Sequence, residues 1–182
     1  MILIDALYLN SFGGKTILEL FLQSLLISKT KHHFLLDIRL DSKWIKKLKS
    51  SNYTFIESTH KNRGDFYAQN LYKVSSILCL ANIPPPIHTT VKTHIFFQNS
   101  LLLNPLSHPI SFKNRIINFL KFNYIKYYNQ NDYNWIVQTP YIYKLLRENL
   151  LINTDQIFIF PIFKEKFESC NLKKIFNNFV YV

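Results

Sequence analysis

The sequence predicts an α/β fold: a doubly wound, mostly parallel sheet of about seven strands with helices on both faces. Short apolar, β-branched or aromatic runs alternate with amphipathic stretches of helical length, the pattern of parallel strands joined by crossover helices. The length of 182 residues and the 48% share of hydrophobic residues suit one domain with a sizeable core. No internal repeat or low-complexity linker interrupts this order. The expected architecture is therefore Rossmann-like.

The strands are short runs rich in β-branched and aromatic residues, and the helices are the longer amphipathic stretches between them. Seven strands are predicted, at Ile2–Ala6, Phe34–Ile38, Tyr53–Glu57, Ser76–Leu80, His94–Phe97, Trp135–Gln138 and Gln156–Phe160. Helices are predicted over residues 14–28, 42–49, 62–73, 111–129 and 140–150. Asp41 and Ser42 are suited to cap the second helix, and Pro140 suits the first turn of the last, where no N–H is needed.

The net charge and the cysteine content limit the classes of function that are expected for this protein. The formal charge of +11 favours polyanionic partners, whether nucleic acid, anionic lipid or phosphorylated small molecules. Cys79 and Cys170 lie far apart without a CxxC partner, so neither a disulfide framework nor a zinc site is indicated, and Cys79 is expected in the core. The chain has no run of about 18 apolar residues and no signal-peptide pattern in "MILIDAL". We expect a cytoplasmic protein.

Nucleophile and metal chemistry are not supported by any motif. The chain contains no HExxH, no GxSxG and no cysteine with a recognisable partner base. His32 and His33 begin a strand, so their side chains are expected on opposite faces and not around one metal ion. No catalytic residue is identified, and no metal site is expected.

Unusual residues follow several predicted strands, where the loops of a parallel sheet gather along one edge and ligands usually bind. "NSFGGK" follows the first strand and contains two of the three glycines, Gly13 and Gly14, with Lys15 after them. Without Cβ atoms these glycines are expected to adopt positive φ and approach a ligand closely, while the following helix offers N–H groups to an anion, reinforced by Lys15. The alternative is a tight strand-to-helix turn without a ligand.

Two further loops are candidates for the same edge. Asn82 precedes a stiff run of three prolines, Pro84–Pro86, which either places a substrate or simply ends a strand. Gln98 and Asn99 close the fifth strand, and their amides suit sugar hydroxyls or the capping of a strand end.

The stretch "SFKNRIINFLKFNYIKYYNQN" is basic and aromatic. Such a segment is suited to the surface of an anionic membrane. The alternative is an ordinary helix that covers the sheet and exposes a lysine face.

Three stretches resemble a known family: "IDALYLNSFGGKTILELFLQSL", "LCLANIPPP" followed by "THIFFQNSLLL", and "NWIVQTPYIYKLL" leading to "IFIFP". They are similar, in order and spacing, to the amino-terminal half of glycosyltransferases with the two-domain GT-B fold. The group resembled is the family 4, or group 1, type, which acts in bacterial cell-surface polysaccharide synthesis.

The resemblance implies that residues 1–176 form the acceptor-side domain. It also implies that residues 177–182, with "FVYV", form a linker and the start of a donor-binding domain that is missing or is a separate chain. The implied reaction transfers a sugar from a nucleotide-diphosphate sugar, a co-substrate rather than a cofactor, to a glycan or lipid-linked acceptor. The resemblance implies that Gly13, Gly14, Asn82 and Asn99 bind substrate, and the patterns described above add Lys15 and Gln98 to the predicted substrate-binding residues. Many relatives have a histidine where this chain has Gln98, so no acid–base role is carried over.

The expected partners are therefore a nucleotide sugar, the acceptor, a donor domain and, at the inner face of the cytoplasmic membrane, an anionic lipid surface. The competing hypothesis is a non-catalytic basic α/β module that binds nucleic acid or a partner subunit of a split glycosyltransferase. No nucleic-acid partner is expected, because no RNP, KH or zinc motif accompanies the basic charge.

Overall fold

The computed structural model describes residues 1–10, 12–27, 31–40, 53–103 and 111–160 of the chain. These residues contain seven strands: β1 Ile2–Asp5, β2 His32–Asp37, β3 Tyr53–Ile56, β4 Ser76–Cys79, β5 Lys92–Phe97, β6 Asn134–Val137 and β7 Ile157–Ile159. They form one sheet in the order β3-β2-β1-β4-β5-β6-β7, and every neighbouring pair is parallel. The predicted Rossmann-like α/β fold is confirmed, with a sheet that is entirely parallel.

The described residues also contain four α-helices. They are α1 Phe12–Ile27, α2 His60–Asn70, α3 Phe112–Tyr128 and α4 Pro140–Leu150, and 3₁₀ turns occur at Leu71–Lys73, Ser100–Leu102 and Thr154–Gln156. Thr59, Ser111 and Thr139 cap α2, α3 and α4, each accepting a hydrogen bond from the backbone N–H three residues later. Pro140 occupies the first turn of α4, as predicted. The predicted helix at 42–49 with its caps, Cys170 and the linker at 177–182 lie outside the described residues.

The sheet is buried on both faces, as expected for parallel strands between helices. Alternate residues along β1 point to opposite faces, so Leu3 belongs to one core and Ile4 to the other. α1 covers the Ile4 face through Ile17, Leu18 and Leu22. The Leu3 face is covered by α2, α3 and α4, which contribute Tyr67, Ile125, Ile142, Leu145, Leu146 and Leu150.

His32 and His33 lie on opposite faces, which confirms the prediction from strand geometry. His32 is buried and its ring contacts Phe34, a residue of the core under α1. The His33 ring stacks on Phe66 of α2, and its Nε2 is 2.9 Å from Thr54 Oγ1 on β3. These two rings are structural parts of separate cores.

The strand order reverses between β1 and β4, because the chain builds β2 and β3 on one side of β1 and the later strands on the other. The loops that leave β1 and β4 therefore diverge and open a crevice at the carboxyl ends of these strands. Within the described ranges, no helix has the length and apolar character needed to cross a bilayer.

Candidate functional site

A cavity of about 890 Å³ lies at this reversal point. Its walls come from the segments that follow β1, β3, β4 and β5, closed on one side by α3. Segments from distant parts of the chain meet here because all seven strands point the same way. The volume falls within the range typical of small-molecule sites.

Five of the six residues predicted to bind substrate line this cavity: Gly13, Gly14, Asn82, Gln98 and Asn99. Lys15 is not among the lining residues. The helix turn that carries Gly13 and Gly14 therefore reaches the cavity, whereas the cation expected to reinforce it does not.

The conformation predicted for the two glycines is wrong. Both belong to the first turn of α1, and none of the three glycines has positive φ. A Cβ on Gly14 would lie 3.1 Å from Cα and Cδ2 of Leu9, whereas a Cβ on Gly13 would meet no atom within 4 Å. Gly14 is thus small so that α1 can pack against its own preceding loop, and Gly13 faces open space.

The side chain of Asn82 shapes the rim of the cavity. Its Oδ1 accepts hydrogen bonds from the backbone N–H groups of Gln98 at 2.7 Å and Asn99 at 3.1 Å. Its φ is 65°, a left-handed conformation that asparagine tolerates better than most residues. Asn82 therefore connects the loop after β4 to the end of β5. Its Nδ2 makes no hydrogen bond to the described residues and can face a ligand.

Gln98 and Asn99 differ in what they offer. Asn99 caps the 3₁₀ turn Ser100–Leu102, and its Oδ1 accepts a hydrogen bond from Leu101 N at 3.1 Å. Gln98 is half-buried in the cavity wall, and within the described part of the chain its side-chain amide makes no hydrogen bond. Of the predicted residues, Gln98 is the one whose amide donor and acceptor both remain for a ligand.

Tyr8 also lines the cavity, although the sequence did not predict it as a site residue. It follows β1 with a φ of 79°, which is a genuine outlier for an aromatic residue. Burial raises the pKa of its phenol, so the hydroxyl stays protonated at neutral pH and can donate a hydrogen bond. Strained residues of this kind cluster at binding sites. No local sequence pattern predicts a positive φ at a tyrosine.

His60 and Tyr124 form an aromatic wall on the side of α3, and the sequence did not single out either one as a site residue. Their ring centroids are 5.5 Å apart in an edge-to-face arrangement. Tyr128 adds a third ring, 4.6 Å from Tyr124 and 6.0 Å from His60. Burial raises the pKa of Tyr124 well above its usual value, so this phenol is also neutral. Such rings can stack on the apolar face of a sugar or on a base.

A fully buried ion pair holds these walls together from below. Arg63 on α2 donates from Nε to Asp5 Oδ2 at 2.8 Å, and from Nη1 to the Pro84 carbonyl at 2.9 Å and the Tyr124 hydroxyl at 3.2 Å. Tyr67 also donates to Asp5 Oδ2, at 2.8 Å. Burial is the largest single effect on the Arg63 guanidinium and lowers its pKa. The Asp5 carboxylate, together with the neighbouring Tyr67, Cys79 and Tyr124, outweighs burial and raises that pKa well above its usual value. One guanidinium thus joins α2, β1, the proline loop and α3.

Cys79 borders this network but is unsuited to nucleophilic chemistry. It is fully buried, and burial raises the pKa of its thiol to about 12, so the thiolate is absent at neutral pH. This confirms its predicted place in the core. In the described ranges, no three His, Cys, Asp or Glu side chains are grouped in a way that could hold a metal ion.

The cavity thus combines unengaged amide groups, protonated phenols and ring faces. Lys121 adds the positive charge at its edge. No family model matches the chain, and no curated protein matches it.

Proposed function

We propose that this chain is the acceptor-side half of a glycosyltransferase, which transfers a sugar from a nucleotide-diphosphate sugar to a hydroxyl of a glycan or lipid-linked acceptor. The observation that carries the proposal is the meeting of Gly13, Asn82 and Gln98 at one cavity. Gly13 belongs to the first turn of α1, Asn82 to the loop after β4, and Gln98 to the segment that follows β5, and the sequence predicts all three as substrate-binding residues.

The lining suits a carbohydrate. Amides that donate and accept, such as that of Gln98, pair with sugar hydroxyls, which do the same. The rings of His60 and Tyr124 offer a surface for the C–H face of a pyranose. The protonated phenol of Tyr8 provides a further donor. Polar groups and ring faces together in one cavity favour a sugar over a purely apolar ligand.

The first turn of α1 supports a role for diphosphate. Its N–H groups lack partners within the helix, and the dipole of the 16-residue helix places partial positive charge there. Because no Cβ projects from Gly13, a phosphate can approach this turn closely. Stabilising the departing diphosphate in this way requires no metal ion in principle.

The proposed reaction breaks the bond between the anomeric carbon and the diphosphate oxygen and forms a bond from that carbon to the acceptor oxygen. The nucleoside diphosphate leaves with the electron pair of the broken bond, and the proton of the acceptor hydroxyl is released to solvent. In the resembled family the donor is held mostly by a second α/β domain. The proposal therefore includes such a domain, on the same or another chain, facing the cavity of this one.

A pair of glutamine variants tests the acceptor side. Gln98→Ala removes the unengaged amide from the cavity wall, and Gln69→Ala removes an exposed amide from α2 as a matched control. We expect Gln98→Ala to weaken binding of acceptor saccharides on a glycan array about tenfold, the effect of one or two hydrogen bonds. Gln69→Ala should bind like the wild type. Equal binding by all three proteins would contradict the assignment of this cavity.

The competing nucleic-acid hypothesis has its own measurement. Filter binding of single- and double-stranded DNA and RNA at increasing salt would detect it, because affinity carried by phosphate contacts falls steeply with ionic strength. Tight binding with a steep salt slope, together with no binding on the glycan array, would replace the transferase proposal.

A further inference from the structure

The helix α3 is unusual because its apolar residues face away from the protein. Only Ile125 is fully buried, and Phe122 packs partly against the core. On the other side, five large apolar residues are exposed, and we call them the outer stripe: Phe112 at 78%, Ile116 at 45%, Phe119 at 53%, Leu120 at 62% and Tyr127 at 68%. An ordinary surface helix shows the opposite arrangement.

The stripe residues lie on one side of the helix, and one exposed polar residue, Asn123, lies among them between Leu120 and Tyr127. At about 100° per residue, Ile116 lies opposite Ile125, and the other stripe residues fall within about 60° of Ile116. Lys113 borders the stripe on one side and Lys126 on the other, and both are exposed. α3 therefore carries two apolar faces, one for the core and one for an external partner, with cations along the edges of the outer face.

The charges identify the kind of partner. The sequence of α3, "FKNRIINFLKFNYIKYY", contains four cations and no acidic residue, and the whole chain carries a formal charge of +11. A second copy of the chain docked on this face would bring the same cations together, which costs free energy. An anionic lipid surface offers apolar chains to the stripe and negative headgroups to the lysines.

We propose that the outer stripe of α3 inserts into the surface of an anionic bilayer. The apolar side chains enter the boundary between headgroups and acyl chains, and Lys113 and Lys126 extend along the stripe to reach the lipid phosphates. The helix lies parallel to the membrane plane, because the stripe runs along its whole length.

This docking also orients the cavity. Leu120 belongs to the stripe and lines the cavity, and Lys121 and Tyr124 follow on the cavity side of the same helix. The cavity mouth therefore borders the membrane surface. Insofar as the proposed transferase function holds, the acceptor is lipid-linked and enters from the bilayer, with its phosphate near Lys121.

Two tryptophan reporters test the insertion in the full chain. Phe119→Trp places an indole in the stripe, and Tyr72→Trp places one at a position that is 79% exposed, beside Lys73, at the amino end of β4. Vesicles of phosphatidylcholine mixed with phosphatidylglycerol should shift the emission of the first to shorter wavelength and leave the second unchanged. An equal response of both reporters, or no response of Phe119→Trp, overturns the proposal.

Sedimentation with the same vesicles separates the apolar and charged contributions. Ile116→Ser with Phe119→Ser should weaken binding at least tenfold, because their apolar area no longer leaves water. Lys113→Gln with Lys126→Gln should also weaken it about tenfold, and phosphatidylcholine vesicles should bind little wild-type protein. Circular dichroism checks that each variant is folded. Unchanged binding by both double variants contradicts the proposal.

A blue shift of Phe119→Trp that grows with protein concentration in the absence of vesicles would assign the stripe to a second copy instead. The vesicle measurements use neither sugar nor nucleotide. If the protein binds saccharides but not vesicles, only the proposed membrane insertion is refuted. If it binds vesicles but no saccharide, only the proposed transferase function is refuted.

Discussion

Of the three non-glycine residues with positive φ in the described part of the chain, two lie at the cavity, and the third, Leu151, ends α4. Tyr8 and Asn82 both line the cavity, and both have positive φ without being glycine. Such conformations cost about 1 kcal/mol or more each and persist only where surrounding contacts enforce them. At Asn82 the enforcing contacts are its two hydrogen bonds to the N–H groups of residues 98 and 99. The shape of the rim therefore depends on individual residues.

Two substitutions of Asn82 separate the free-energy cost of its backbone strain from the contribution of its hydrogen bonds. Asn82→Ala loses both hydrogen bonds and places alanine at positive φ, so we expect a loss of about 2–3 kcal/mol in the free energy of unfolding. Asn82→Gly also loses the bonds but relieves the strain, and should cost about 1 kcal/mol less. Urea unfolding measures both. Equal losses in the two variants would show that the backbone strain contributes nothing.

The two adjacent glycines should respond in opposite directions to alanine. Gly13→Ala meets no atom and has a helical φ, so it should stabilise the protein by about 0.5 kcal/mol. Gly14→Ala forces its methyl against the backbone of Leu9 and should destabilise it by about 1–2 kcal/mol. Thermal unfolding of the pair distinguishes them. Stabilisation by Gly14→Ala would disprove the close approach of α1 to the loop.

Elements are joined at the cavity by one buried cation. The side chain of Arg63 is 1% exposed, and so is that of its partner Asp5. Removing one member of such a pair leaves a charge buried without its counterpart, which costs far more than the pair contributes in net stability. The packing of α2 and α3 over the sheet is therefore coupled to the proline loop.

A double-mutant cycle measures this coupling. Arg63→Met should cost about 3–5 kcal/mol, because Asp5 is left charged and buried. Tyr67→Phe, which removes one hydrogen bond to the same carboxylate, should cost only about 1–2 kcal/mol. Adding Asp5→Asn to Arg63→Met should cost less than the sum of the single changes. Strict additivity in urea unfolding would contradict the ion pair.

Sequence patterns are sufficient to locate the strands of this protein. Each of the seven predicted strands is present, shifted at its ends by at most two residues, because strand patterns and turns are local properties. α1 begins at Phe12 rather than at residue 14, since Gly13 and Gly14 are helical. Glycine usually marks a turn, but here the packing of Gly14 on Leu9 overrides that preference.

Two properties of the whole protein, its net positive charge and the burial of one histidine, lower the free energy of unfolding at acidic pH. Burial, and then the charge of His32, lowers the pKa of His33 in the folded state. As the pH falls, the unfolded chain therefore binds a proton at His33 before the folded protein does. The contribution of neutral His33 to the free energy of unfolding is complete above the unfolded pKa of about 6.5 and is lost as the pH falls below that value. Protonation also adds to the formal charge of +11, and this increases self-repulsion.

The free energy of unfolding should consequently fall between pH 8 and pH 5. His33→Gln keeps a partner for Thr54 but cannot titrate, so it should flatten this dependence. Added salt should recover the part due to self-repulsion in both proteins. Urea unfolding across this pH range provides the measurement. An identical pH slope in His33→Gln and the wild type would show that His33 is not the titrating group.

Local sequence patterns are sufficient to predict the fold class, the order of strands and helices along the chain, and five residues of the cavity, because hydrophobic periodicity, turns and strand ends are local properties. Long-range packing pairs Arg63 with Asp5, 58 positions away, and brings Tyr8, His60 and Tyr124 to the cavity. It also decides which face of α3 is turned outward. These properties depend on how strands from distant parts of the chain are ordered in the sheet, and no local pattern carries that information.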